Sequence, residues 1–314
     1  MKFVFFGTPE YVLPILDALN KKFKIKGKSP IEAVVTQEPK PTGRKQLLSY
    51  SPVDNWAYKR DLPIFFDPED IIKNSITADM GILASYGKII PKSVINYFKF
   101  GIINVHPSCL PKYRGASPIQ ASIISQDNET GVSIIKLDEK LDHGPIVCQF
   151  KEEILPQDTF ESLRNRLFER SCDVLTALIL PYTQGKITLK KQDDTKASFT
   201  RQIIKEDAFI PPKYLEKALK KETVKDKWTI PFIKDFAITP TGAVLDRFIR
   251  AMYPWPIAWT IISIDSSNHA KRIKILKSHI DNEKLILDEV QMEGKSPVTW
   301  RQFKEGYPQS FLKY

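Results

Sequence analysis

Short apolar runs alternate with helix-patterned segments over roughly the first 185 residues, and this rhythm limits the fold more than any other feature of the chain. Lys2–Phe6 is an apolar run that Gly7-Thr8-Pro9-Glu10 turns into a helix over Glu10–Lys21, where Val12, Ile15, Leu16 and Leu19 recur at helical spacing. Further strands are expected at Ile31–Thr36, Pro63–Phe66, Ala78–Ala84 and Gly101–Val105, with helices at Asp54–Arg60 and Pro91–Phe98 between them. A helix at Pro118–Ser125, strands at Val132–Leu137 and Ile146–Glu153, and a long amphipathic helix at Thr159–Thr183 follow. Apolar strands that alternate with helices specify an α/β fold with a doubly wound, mostly parallel sheet. The strand pair after Gly131 reads as an antiparallel edge.

The rhythm breaks after about Gly185. Residues 186–206 are polar and charged, as in a linker. Pro211-Pro212 leads into a Lys-rich helix at Tyr214–Lys221, and a second helix over Thr241–Tyr253 carries Val244, Leu245, Phe248 and Ile249 on one face. After Pro254-Trp255-Pro256 come short strands at Trp259–Ile264, Arg272–Leu276 and Lys284–Leu287, the pattern of a smaller C-terminal β-barrel. The expected division is a first domain over 1–187, a linker over 188–206 and a second domain over 207–314.

The formal net charge is +10, and the surplus is denser beyond residue 200. Such a surplus suits an anionic partner such as nucleic acid; a generally lysine-rich composition is the plain alternative. Cys109, Cys148 and Cys172 are odd in number and lack metal-ligand spacing, so a reducing compartment and no metal are expected. The apolar N-terminal run is too short for a signal peptide, and no apolar run approaches membrane-spanning length. A cytoplasmic monomer without a membrane partner is expected.

The candidate chemistry sits in Gly101-Ile-Ile-Asn104-Val-His106-Pro-Ser108-Cys-Leu110-Pro111-Lys-Tyr-Arg114-Gly115. Asn104 and His106 are two apart, so on a strand both side chains leave one face. A Pro- and Gly-punctuated loop follows at the strand's carboxyl end, where open parallel sheets form binding crevices. Asp142 lies one supersecondary unit later, in Leu141-Asp142-His143-Gly144-Pro145. Asn104 and His106 can donate hydrogen bonds to a developing oxyanion, and Asp142 can orient the imidazole and hold a water for proton transfer. The plain alternative for Asp142 is a cap on the turn before Gly144. Ser108 lacks a Gly-x-Ser-x-Gly elbow and reads as a structural hydroxyl, and His143 reads as solvent-facing. Residues Thr36–Gln46 form a long, basic, Pro/Gly-punctuated loop, a candidate functional loop or simply a surface one.

These residues resemble a known family. Phe6-Gly7-Thr8-Pro9-Glu10, the run from Asn104 to Pro118-Ile-Gln, Glu129-Thr-Gly131-Val and Leu141-Asp142-His-Gly144-Pro are similar to methionyl-tRNA formyltransferases over nearly all of residues 1–185. The likeness resumes at Ile249-Arg250-Ala-Met-Tyr-Pro254-Trp255-Pro256. It implies a Rossmann-like formyltransferase domain, an OB-like C-terminal barrel that binds tRNA, and formyl transfer from 10-formyltetrahydrofolate to initiator methionyl-tRNA. Carried over residue by residue, it implies that Asn104 and His106 hold the oxyanion while Asp142 supports proton transfer. Leu83, Ile89, Ile90, Ser108, Leu110 and Pro111 would line the folate site, although the aliphatics could be plain core. Lys40, Arg44 and Lys45 would meet tRNA. The family usually has Gly and Leu where this chain has Pro107 and Cys109, and residues about 210–238 look like an insertion. A sugar-amine N-formyltransferase shares the same Asn-His-Asp set, and a non-catalytic tRNA- or folate-binding relative is the third reading.

Overall fold

A computed structural model describes residues 1–43, 46–264 and 270–312. The chain divides into two compact units. The first comprises residues 1–114, 130–152 and 164–197, and the second comprises 115–129, 153–163 and 198–314.

The first unit is built on a seven-stranded sheet. Its strands are β1 (Phe3–Gly7), β2 (Ile31–Val35), β5 (Ile64–Phe65), β6 (Met80–Ala84), β7 (Ile102–His106), β8 (Glu129–Lys136) and β9 (Ile146–Glu153). They lie in the order β9-β8-β7-β6-β1-β2-β5. β1 pairs in parallel with both β2 and β6, and β6 pairs in parallel with β7. β8 runs antiparallel to β7, so the expected mixed edge is present. Every residue of β1 and of β7 is buried, as a central strand covered on both faces requires. Phe6 carries this packing outward, edge-on to Tyr86 and to Phe98. The helix Leu13–Phe23 buries Ile15, Leu16 and Leu19, three of the four apolar positions marked by helical spacing; Val12 falls in the short 3-10 turn before it.

Two polar stretches are more ordered than their composition implies. Thr36–Gln46 is not a plain loop: β3 (Lys40–Thr42) and β4 (Leu47–Ser49) form an antiparallel hairpin with every residue exposed. Pro41 and Gly43 mask a short strand that pairs with its neighbour. The linker-like segment also folds back, since Lys190 and Ile146 exchange backbone hydrogen bonds of 2.8 and 2.9 Å.

The second unit holds a five-stranded antiparallel sheet in the order β13-β12-β11-β10-β14. The strands are β10 (Trp259–Ser263), β11 (Ala270–Asp281), β12 (Lys284–Met292), β13 (Val298–Thr299) and β14 (Phe311–Leu312). β11 and β12 are much longer than their apolar cores. They continue through Lys277, Ser278 and His279 to a two-residue turn at Asn282 and Glu283, both at positive φ (47° and 67°). A primed turn of that kind suits hairpin twist but is usually marked by glycine, which is absent here. The helix Gly242–Met252 buries Val244, Leu245, Phe248 and Ile249, with the Thr241 hydroxyl accepting from Val244 N at its start. The segment read as an insertion is part of this core: Trp228 lies 4.6 Å from the Phe248 ring, and Ile230, Phe232 and Ile233 are buried.

Gly144 shows how tightly the first unit is closed near its crevice, because a Cβ there would overlap the Lys136 carbonyl oxygen. Gly144→Ala should cost about 1–3 kcal/mol, as overpacking does. Gly306→Ala, which meets nothing within 4 Å, should leave the thermal midpoint nearly unchanged. Thermal denaturation of the two variants beside the wild type checks the contrast.

Candidate active site

β7 delivers Asn104 and His106 to one face, and the loop after β8 returns Asp142 to meet them. Asn104 Nδ2 donates to Asp142 Oδ1 at 3.1 Å, and His106 Nδ1 lies 3.5 Å from Asp142 Oδ2. All three side chains are buried, with 5, 4 and 9 % exposure. Buried polar groups persist only when paired, and here each one is. His106 Nε2 lies 3.0 Å from the Tyr113 carbonyl oxygen. A carbonyl can only accept, so Nε2 keeps its hydrogen in either charge state. Nδ1 is therefore the ring nitrogen that faces Asp142. Two polar partners of the ring, Tyr113 and Asp142, sit at φ 60° and 46°, a left-handed conformation that costs non-glycine residues on the order of 1–3 kcal/mol each.

The loop between β7 and Tyr113 is braced from the next strand. Ser133 Oγ accepts from Leu110 N and donates to the Ser108 carbonyl, while Gln149 Nε2 donates to the Leu110 carbonyl. Ser108 is fully buried and its hydroxyl donates to the Lys112 carbonyl at 2.6 Å. Leu110 packs with Ile135 and Ile146, and Pro111 follows it half-buried. Leu83 is the register partner of Asn104 on β6, which puts it beside the trio. Ile90 belongs to the core cluster with Tyr86 and Val94, whereas Ile89 is 89 % exposed. The candidate folate residues are thus dispersed: Leu83 adjoins the trio, Ile90 lies in the core and Ile89 projects at the surface. Lys40 stands on the exposed hairpin strand with its Nζ 3.4 Å from Gln37 Oε1. Arg44 and Lys45 lie outside the described residues.

Two residues that sequence reasoning did not place at the site hold the Asp142 loop. Gln192 Nε2 donates to the carbonyl oxygens of Asp142 and Gly144, both at 2.8 Å. Its Oε1 accepts from Arg114 Nε and Nη2 at 3.1 and 2.8 Å, and the same Nη2 reaches Asp194 Oδ1 at 2.7 Å. The Arg114 hydrogen bond holds the Asp194 carboxyl below the usual carboxylate range, with the Arg114 charge and His143 adding to it. His143 is not solvent-facing. Its Nδ1 lies 2.6 Å from Asp138 Oδ2 and its Nε2 lies 3.3 Å from Asp194 Oδ2, so it staples the two ends of the loop to this network. Arg114 was legible inside the Tyr113-Arg114-Gly115 run. Gln192 carries no signal, being one amide in a polar stretch.

The trio can donate to an oxyanion and move a proton, which is the equipment of acyl-type transfer. Among the described residues no group of three His, Cys, Asp or Glu side chains is placed to hold a metal ion, and no helix is long and apolar enough to cross a membrane.

Comparison with known proteins adds sequence to geometry. Residues 1–179 match the family model described as formyl transferase, and residues 239–285 match the one described as formyl transferase, C-terminal domain. A methionyl-tRNA formyltransferase of Buchnera aphidicola is 36 % identical over 268 residues, covering 83 % of this chain and 75 % of the relative. Among solved structures, a methionyl-tRNA formyltransferase from Clostridium thermocellum superposes with a TM-score of 0.55 at 17 % identity, over 93 % of this chain and 98 % of that one. An N-formyltransferase from Helicobacter canadensis, solved with folinic acid and dTDP-3-aminofucose, gives 0.60 at 17 % identity over 90 % and 88 %.

Truncating Gln192 should show what it holds. Gln192→Ala leaves the Arg114 guanidinium and two loop carbonyls short of a partner, which should cost about 1–3 kcal/mol. Urea unfolding should show the midpoint fall with the slope kept.

Proposed function

The chain belongs to the formyl transferase family and groups with its methionyl-tRNA formyltransferases, and on that footing we propose that it moves a formyl group from 10-formyltetrahydrofolate to the amino group of methionine on initiator tRNA. The observation that carries this reading is the buried Asn104–Asp142–His106 arrangement within a chain that resembles these enzymes along most of its length. In this reading the amino nitrogen attacks the formyl carbon and the carbonyl oxygen takes on negative charge. Asn104 has two amide hydrogens; one is given to Asp142 and the other serves the developing oxyanion. His106, held by Tyr113 O through Nε2, sits beside it with Nδ1 turned to Asp142. Asp142 orients the His106 ring and, through a water, takes the proton that the attacking ammonium loses and returns it to the folate nitrogen as the bond from that nitrogen to the formyl carbon breaks. Leu83 borders the space for the folate, with Ser108, Leu110 and Pro111 shaping the loop opposite.

Residues 1–187 carry the transfer in this proposal, and residues 207–314 bind tRNA through the basic surplus. Lys40, Arg44 and Lys45 meet the acceptor arm. The enzyme works as a cytoplasmic monomer without a membrane partner.

The deciding experiment incubates the full chain with 10-formyltetrahydrofolate and either methionyl-tRNA or nucleotide-linked amino sugars. Formylmethionyl-tRNA is the expected product; a formylated sugar alone would overturn the choice of acceptor. His106→Ala should lower turnover on the order of a hundredfold or more in a protein that still folds at the assay temperature, although its unfolding midpoint falls because the buried Asp142 loses a partner. Asp142→Asn should leave folate binding largely intact and collapse turnover, which separates proton transfer from turn formation.

Arg44→Ala tests the tRNA contact. It should raise the KM for charged tRNA and reduce the salt slope of tRNA binding by about one phosphate contact, with the KM for folate unchanged. Binding of tRNA by the wild type that does not vary with salt would exclude the contact.

A further inference from the structure

The turn that leads into β2 gathers Lys21, Lys22, Lys24, Lys26 and Lys28, all of them exposed. Lys21 and Lys22 close the helix Leu13–Phe23, where a cation complements the helix dipole. That effect fades within the last turn, so it gives no reason for Lys24, Lys26 and Lys28, which lie beyond the helix end. These three are displayed on an ordered turn. Ile25 N donates to Lys28 O at 3.3 Å and Lys28 N donates to Ile25 O at 2.9 Å, with Lys26 and Gly27 both at positive φ (46° and 80°). A type I′ turn has that backbone, and its first central position favours Asn, Asp or Gly. Lys26 stands there instead, so a cation is kept at the tip against its own backbone preference. Among the described residues none of the five lysines forms an ion pair with a carboxylate. Glu32 and Asp79, at the same end of the sheet, are both taken by Lys2, through Nζ at 2.9 Å and the backbone N at 2.7 Å. Like charges crowded on one turn repel each other, a cost that a bound polyanion would turn into attraction.

The turn lies at the amino end of the parallel strands β1, β2 and β6, whereas Asn104 and His106 stand toward the carboxyl end of β7. A strand of 5 residues, about 17 Å, separates the two ends. An RNA end that reaches the trio enters from the carboxyl end and leaves this turn free. We propose that Lys24, Lys26 and Lys28, with Lys22 behind them, form a second RNA-binding surface that grips the phosphate backbone of a structured RNA other than the one served at the trio. The proposal goes beyond the formyl-transfer reading, and its binding test needs no turnover. An anionic membrane offers phosphates too, but the turn has little to insert there. Phe23 packs edge-on against Phe3 at 5.2 Å, which leaves Ile25, 62 % exposed, as the lone large apolar residue facing outward from residues 21–28. Surface binding to lipid needs a broader apolar face than that.

The test measures binding of a labelled, blunt-ended RNA hairpin to the full chain by fluorescence anisotropy at several salt concentrations. The wild type should bind it with an affinity that falls as salt rises. A triple variant, Lys24→Gln with Lys26→Gln and Lys28→Gln, should bind on the order of tenfold more weakly, with a salt slope lower by about two to three phosphate contacts. The matching triple replacement by Arg should keep both. Unchanged affinity and slope in the glutamine variant would overturn the proposal, and so would an equal loss in the arginine variant, because the loss would then follow the fold and not the charge. A raised KM for charged tRNA in the glutamine variant would make the turn a contact of the substrate itself and end the case for a second RNA. Cosedimentation with phosphatidylcholine vesicles containing phosphatidylserine completes the comparison: vesicle binding that the glutamine variant loses, at unchanged hairpin binding, would give the turn to a membrane.

Discussion

A carboxylate with almost no access to water governs the first unit. Asp142 can remain in its buried position because Asn104 and His106 each meet one of its oxygens. Neither of those side chains would be tolerated unpaired in a strand whose every residue is buried. The dependence runs both ways, so the trio is as much a closure of the β7–β8 edge as a piece of chemistry. Tyr113 O, Gln192 and the close approach of Gly144 to Lys136 then hold a loop whose backbone would not choose this conformation alone.

Much of this was legible in the sequence, and the parts that were share a cause. Strands covered on both faces read as unbroken apolar runs, so β1, β2, β6 and β7 stand out. Two polar residues spaced two apart at the end of such a run contradict packing and thereby mark Asn104 and His106. Asp142 is found by resemblance and by its turn, not by periodicity. What stayed hidden is tertiary. Gln192 works through a bond to a backbone 50 residues earlier. The Asn282-Glu283 turn lacks the glycine that usually marks it, so β11 and β12 read as short. Trp228 joins the second core through Phe248 and Tyr214, distant in sequence or unmarked by it. Ile89 and Ile90 are neighbours in sequence with opposite fates, one outside and one inside, which a run of two identical residues cannot distinguish.

The acceptor is a question that the fold alone does not answer. Structures of a methionyl-tRNA enzyme and of a sugar enzyme superpose on this chain about equally well, at equal identity. The distinction comes from the sequence relatives, which match at about twice that identity. The net charge of +10 would attract either anionic acceptor, and a long polyphosphate more strongly than the single diphosphate of a nucleotide sugar.

The bonds from Gln192 also order events in time. A chain leaves the ribosome from its first residue onward, so the strands, Asn104, His106 and Asp142 emerge well before the amide that clamps the loop. The sheet can collapse early, yet the Asp142 loop is not locked until the long helix Phe160–Thr183 and the polar stretch after it have emerged and folded back. In a nascent chain, a formed sheet and a competent site are thus separate milestones, and Gln192 marks the second.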